Sequence, residues 1–306
     1  MVYIRLWGGF GNQLFQYAFG YSMAKRHNTE LFVDCGFFSD EYLSKNARFT
    51  KQKPFILNNN LNCIVGNLEG NLKKKIDFIQ DKNINRLIRL PNHFSIDIGE
   101  GVRYVKETRN LFDDYFMRTY DCDVYYDGYW QCERYFADFK EELVPQLMPV
   151  LDTSKYTDIL NKIFDENSVA IHIRRGDYSN SKFNLGNLYL LPMNYYDKAI
   201  EEISRQIVNP RFYFFSNDIE YVKNYFGDRD DFFYLSGTDG INTIDEFYMM
   251  SCCKHQIIAN STFSWWAAWL NKNVNKCVYS PSGWFGNKDI IPRSWEKINY
   301  DLERKK

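Results

Sequence analysis

An α/β chain of two units, each a parallel sheet covered by helices, is what the sequence predicts, and three observations carry the prediction. Apolar β-rich runs alternate with amphipathic segments of helical length, the signature of βα repeats. That alternation begins twice, once at Val2 and again at Ser168, with a proline-containing stretch between. Polar clusters follow directly on the strand-like runs, where open α/β sheets bind their ligands. At 306 residues the chain exceeds the usual single-domain size, so units spanning 1–150 and 151–306 are expected.

The first unit opens with "VYIRLWGG", a strand ending in Gly8-Gly9. "NQLFQYAFGYSMAKRHN" follows, with Leu14, Tyr17, Ala18, Tyr21 and Ala24 at helical period. "ELFVDCGFF" reads as a second strand, completing a β-loop-α-β opening with a ligand-facing turn after strand one. From about Lys51 to Glu100 the text is Asn- and Lys-rich, which predicts irregular connections and short helices, with Lys73 to Lys75 a solvated charge run. "DVYYDGYWQCERYF" predicts a strand, a turn and the start of a helix. "FKEELVPQLMPVLDTSKY" suits an interdomain connector.

The second unit restarts the pattern. Strands are expected at "SVAIHI", "RFYFFS", "FFYLS" and "QIIA", and helices at "MNYYDKAIEEISRQI", "DIEYVKNYFG", "TIDEFYMMSCC" and "SWWAAWLNK". No internal repeat or low-complexity tract interrupts them.

Composition narrows the function classes. With 45% hydrophobic and 18% aromatic residues the chain is globular rather than disordered. A formal net charge of −1 argues against bulk attraction to nucleic acid or anionic lipid, while leaving room for a local anion site. The seven cysteines form no C-x-x-C pair and no histidine stands at zinc-site spacing from one, so reduced thiols are expected and no metal. No leader pattern and no apolar run of about 20 residues is present, which predicts a cytoplasmic protein, with room for peripheral association at the inner face of the membrane.

The strand ends carry the chemistry. His172, Arg174, Arg175 and Asp177 follow the first strand of the second unit, Ser216-Asn217-Asp218 the second, and Asn260-Ser261-Thr262 the run "QIIA". These clusters should converge on one crevice. Ser261 and Thr262 stand just before a helix, whose leading N–H groups and dipole favour phosphate; plain N-capping is the competing reading. An arginine across the crevice would supply a permanently charged fork for phosphate oxygens. Asp245, sixteen residues before Ser261, is either a first-turn helix carboxylate or an acceptor of two hydrogen bonds from a guanine edge. The D-x-D at Asp121 to Asp123 invites a metal reading, but it sits in a polar turn before a strand. "GGFGN" lacks the spacing of a dinucleotide fingerprint, and no G-x-S-x-G occurs.

Four segments, "GGFGNQLFQYAFG", "GYWQCERYF", "HIRRGDY" and "MMSCCKHQIIANSTFSWWAAWLN", occur in that order over most of the chain. Together they resemble the bacterial alpha-1,2-fucosyltransferases. The resemblance implies a GT-B-like fold, two Rossmann-like domains facing across a cleft, with the first on the acceptor side and the second binding donor. It implies GDP-fucose as donor, a galactose-containing oligosaccharide or lipid-linked glycan as acceptor, and neither cofactor nor obligatory metal. By the same resemblance His172 assists guanine recognition, Arg174 contacts the β-phosphate, and Asp245 holds the guanine. Ser261, Thr262 and Phe263 form the phosphate-binding turn, with Arg175 and Asn217 also on the donor. The segment Gly9 to Gln13 approaches the sugar, Asn12 making the contact beside Gln13. Where some relatives carry a catalytic-base glutamate this chain has Lys182, and no Glu lies between Asp177 and Glu201; Asp177 is the candidate base. A nucleotide-sugar or glycan-binding protein without transfer activity, or a transferase using another GDP-sugar, would fit the same residues.

Overall fold

The computed structural model describes residues 1–39, 53–55, 61–81, 93–175, 190–284 and 286–300. They divide into two compact units, Met1–Leu147 and Met148–Lys306. Each is built on one six-stranded, mostly parallel sheet, so both units are Rossmann-like; the second sheet is wound from its middle outward, whereas the first runs from its middle to one edge and then back inward from the other.

In the first unit the strands are β1 (Val2–Arg5), β2 (Leu31–Asp34), β3 (Ile64–Gly66), β4 (His93–Asp97), β5 (Val102–Glu107) and β6 (Asp123–Asp127). Their order is β3-β2-β1-β6-β5-β4, parallel except for β4 against β5. Helix α1 (Phe10–Arg26) follows the Gly8-Gly9 turn and is buried on nearly every side, which explains its continuous run of apolar and small residues. Gly20 lets it lie directly on the sheet: a Cβ there would stand 2.8 Å from Ile4 and 3.0 Å from Leu31. Helix α2 (Gly70–Asp81) carries the lysine run, where the side chain of Lys73 pairs with Asp77. Of the irregular connections and short helices expected from 51 to 100, a helix is present as α2, and the reading is corrected by the strands β3 and β4. β3 and β4 are edge strands with largely exposed side chains, so no apolar alternation marks them.

After β6 the chain makes a tight turn and two short 3-10 turns, Glu133–Tyr135 and Ala137–Phe139, instead of the helix start expected at "CERYF". The stretch read as a connector holds α3 (Lys140–Leu147), with Pro145 inside it, and leads to α4 (Thr157–Asp165). The compact units meet in sequence at Leu147 and Met148, within that stretch.

The second unit alternates β7 (Asn167–Ile173), α5 (Met193–Gln206), β8 (Pro210–Ser216), α6 (Ile219–Phe226), β9 (Phe232–Tyr234), α7 (Thr243–Cys252), β10 (His255–Ile257), α8 (Thr262–Leu270), β11 (Val278–Pro281) and β12 (Glu296–Ile298). All six strands are parallel, in the order β12-β11-β10-β7-β8-β9. Val169, Ile171 and Ile173 on β7, Phe212 and Phe214 on β8, and Ile257 on β10 share one core with Tyr195 and Ala199 of α5. Each fully buried apolar side chain of this kind contributes about 1.5–3 kcal/mol.

Topology places the chemistry. Chain winding reverses between β7 and its neighbour β10, so the crevice of this sheet opens where those two strands end. None of the seven cysteines is in a disulfide. No helix among the described residues is long and apolar enough to cross a membrane.

Candidate active site

His172 is the next-to-last residue of β7, 5% exposed, with Nδ1 2.9 Å from the Ser264 hydroxyl in the first turn of α8. Ser264 Oγ donates in turn to the Ser261 carbonyl at 3.3 Å. Assigned from that network, Nδ1–H donates to Ser264 and Nε2 is left as an acceptor. Burial, and after it the charge of Arg174, pushes the imidazole down to about 3. A buried ring that does not protonate near neutrality is suited to hydrogen bonding and not to proton exchange.

Arg174 is the first residue after β7, and its charge acts on His172, whose ring bonds to α8. The start of α8, like those of α1, α4, α5 and α6, carries no side-chain cap. Ser261 is its N-cap residue in extended conformation, 8% exposed, and its side chain makes no capping bond. The leading amides of the helix are therefore not spent on their own cap. Phe263 packs 5.7 Å from the His172 ring and 5.2 Å from Phe247 of α7, tying this corner together. A neutral imidazole and a helix N-terminus thus meet at the end of the β7–β10 pair, with Arg174 two residues beyond the imidazole in the chain.

Arg175 points to a different job. Its backbone N–H donates to Asn217 Oδ1 at 2.9 Å, its Nε to Asp218 at 3.3 Å, and its guanidinium lies 3.3 Å over the Tyr221 ring. With a side chain 13% exposed, it binds the end of β7 to the start of α6. Asn217 is held in the same contact.

Asp245 occupies the third position of α7 and is 1% exposed. Both readings of it find support in one geometry. It completes a capping box with Asn242, whose N–H it accepts at 2.9 Å. Lys155 donates to the same oxygen at 2.7 Å and the Tyr156 hydroxyl to the other at 3.1 Å. Burial works to raise this carboxyl, but Lys155, Asn242 and Tyr156 together hold it below the usual range. A carboxylate offers about four acceptor positions, so one is open on Oδ1, and a two-bond grip on a guanine edge requires Lys155 or Tyr156 to give way. Lys155 and Tyr156 lie 90 and 89 residues upstream, and no local pattern could have drawn attention to them.

In the first unit Asn12 accepts from Gln131 at 2.9 Å. Gln13 is a brace. Its amide donates to the carbonyls of Gly8 at 2.9 Å and Lys53 at 3.0 Å and accepts from Phe55 N–H at 2.9 Å, which leaves it no free donor. Asp177 and Lys182 lie outside the described residues. The D-x-D motif leads into the N-terminal end of β6, the opposite edge of the sheet from the Gly8-Gly9 turn. No cluster of three or more metal-ligating side chains occurs among the described residues.

Size does not locate the chemistry in the second unit. A groove of about 740 Å³ runs along residues 204–211 at the start of β8, and its arginines are spent on acids: Arg205 on Glu201 and Glu202, Arg211 on Glu166, Arg229 on Asp231.

Among curated proteins, the chain is 31% identical to an alpha-1,2-colitosyltransferase of Escherichia coli, over 97% of this chain and 99% of that one. It is 28% identical to the O-antigen biosynthesis glycosyltransferase WbnK of Escherichia coli, over 94% of this chain and 96% of the relative. Among solved structures, the fucosyltransferase NodZ from Bradyrhizobium is similar at 12% identity and a TM-score of 0.43, covering 87% of this chain and 91% of that one. The model of glycosyl transferase family 11 matches residues 1–281. With a match of that extent and a relative aligned almost end to end, the chain belongs to glycosyl transferase family 11.

Proposed function

We propose that the protein transfers L-fucose from GDP-β-L-fucose to the 2-hydroxyl of a terminal galactose, inverting the anomeric centre to give an alpha-1,2 linkage. The observation that carries this reading is the buried His172 bonded to the first turn of the uncapped α8 at the strand switch point, with Arg174 directly following β7. As fucose leaves, negative charge grows on the β-phosphate, and stabilising such charge is usually the largest catalytic contribution. Arg174 and the α8 amides would meet it without a metal. The acceptor hydroxyl attacks from the opposite face, with Asp177 as base. Asp245 and the Nε2 of His172 would read the guanine. A lipid-linked acceptor would bring the protein to the inner face of the membrane.

A second reading changes only the sugar. The 31% identical relative is named for colitose, which is fucose without its 3-hydroxyl. Parallel incubations of lactose with GDP-fucose and GDP-colitose decide between them, with GDP release and the fucosylated or colitosylated product as readouts. The fucose reading expects clear preference for GDP-fucose. Turnover of GDP-colitose alone would transfer the assignment to that donor, and binding of either nucleotide without turnover would leave a binding protein.

A further inference from the structure

Beyond the donor crevice, the first unit has its own cavity, of about 290 Å³, where β1, β5 and β6 end. Its lining includes Arg5, Trp7, Glu107, Asn110, Asp127 and Tyr129. Asp127 is buried and takes Arg5 at 3.3 Å, Lys106 at 3.7 Å and the Tyr104 hydroxyl at 2.6 Å.

Three other lining residues carry buried polar atoms with no hydrogen-bond partner among the described residues: Trp7 Nε1, Glu107 Oε1 and Asn110 Oδ1. Leaving such atoms unpaired is costly, and native proteins seldom do so without a reason. Glu107 is 9% exposed, and its other oxygen is fixed by the N–H groups of Tyr129 at 2.7 Å and Trp130 at 3.0 Å. Burial, opposed by those amides, pushes this carboxyl up to about 7. The loop that supplies the amides is made for close approach. Gly128 has no room for a Cβ, which would stand 2.6 Å from Glu107, and Trp130 sits at φ 57°, in the left-handed region. Trp7 and Tyr129, half-buried with ring centroids 4.2 Å apart, form an aromatic wall.

The unpaired set is a donor, Trp7 Nε1, an acceptor, Asn110 Oδ1, and a carboxyl oxygen that can do either near neutrality, which selects the ligand's chemistry. A phosphate offers acceptors only and would leave the Asn110 oxygen unpaired. Hydroxyl groups both donate and accept, and the volume is near the lower limit of small-molecule pockets, enough for one sugar ring. We propose that this cavity is a binding pocket for a neutral hexose, gripped by Trp7, Glu107 and Asn110, and that it holds the galactosyl end of the acceptor. The identity of the sugar rests on the transferase reading; the pocket does not.

Saturation-transfer NMR on the full chain, with methyl β-D-galactopyranoside as probe and methyl β-D-glucopyranoside as comparison, tests it. The wild type is expected to bind the galactoside in preference to the glucoside, and both Glu107→Gln and Trp7→Phe to weaken that binding by about tenfold, the effect of losing one buried hydrogen bond. Trp7→Phe keeps the aromatic wall and leaves the Glu107 bonds to Tyr129 and Trp130 intact, so it stands as the second variant should Glu107→Gln unfold. Absence of galactoside binding to wild type, or binding that neither folded variant weakens, overturns the pocket. If GDP-fucose is turned over while the variants bind galactoside normally, the pocket fails and the transferase reading stands. If no GDP-sugar is turned over but the variants lose the galactoside, the transferase reading fails and the pocket stands.

Discussion

Arg174 and Asp245 can each be separated from a merely structural role by one substitution, and His172 can be tested through its effect on stability. Arg174→Ala is expected to lower kcat on the order of 10²-fold or more, the effect of losing one charge-stabilising donor; steady-state kinetics at saturating donor measure it, and near-wild-type turnover would remove this side chain from the reaction. Asp245→Asn retains an oxygen for the Asn242 N–H, so α7 should still start in place. Loss of guanine recognition should nonetheless raise KM for GDP-fucose at least about tenfold, the scale of a charge-assisted hydrogen bond. A pure cap would leave KM where it was and lower only the melting temperature. For His172 the prediction concerns acid stability. Its folded-state value of about 3 lies below the ordinary histidine value of about 6.5, so the unfolded chain binds more protons between them and stability rises with pH across that window. Falling pH therefore costs stability, and denaturant titrations from pH 6.5 to 4 should show a shallower loss in His172→Gln than in wild type.

At the level of elements, the sequence was legible where burial imposed a pattern. β7 and β8 are apolar almost throughout because they lie inside a parallel sheet, and the polar residues at their ends stand out by contrast. β3 has Ile64 and Val65 about half exposed, β4 is half-exposed throughout, and β12 is three residues long at an edge. Such strands owe their place to their neighbours' hydrogen bonds, which leave no trace in a linear pattern. The site followed the same rule. Its strand-end residues were legible from position, whereas Lys155 and Tyr156 join it through contacts distant in sequence. The turn after β6 can be tested as an element: Gly128→Ala forces a Cβ against Glu107 and the Trp130 ring. Overpacking of this kind costs about 1–3 kcal/mol, and thermal unfolding should record a drop of several degrees.

For the whole molecule, two units with separate cavities imply separable ligand footprints. Hydrogen exchange should show GDP protecting residues 172–175 and 260–264, and a galactoside protecting residues 107–110 and 128–131; a galactoside footprint confined to the second unit would contradict the division of labour. The first unit also contains a small piece of wiring. Asn110 Nδ2 donates to Gln131 Oε1 at 2.6 Å, and Gln131 Nε2 donates to Asn12 Oδ1 at 2.9 Å. Turning over any one of these amides would set like against like, so the row has a single polarity. Asn12 is left with both N–H donors of its amide and one lone pair of Oδ1, so an approaching oxygen can accept from the N–H₂. A hydroxyl proton given to Asn110 at the head of the row would sharpen that offer at its tail, since hydrogen bonds in series polarise one another.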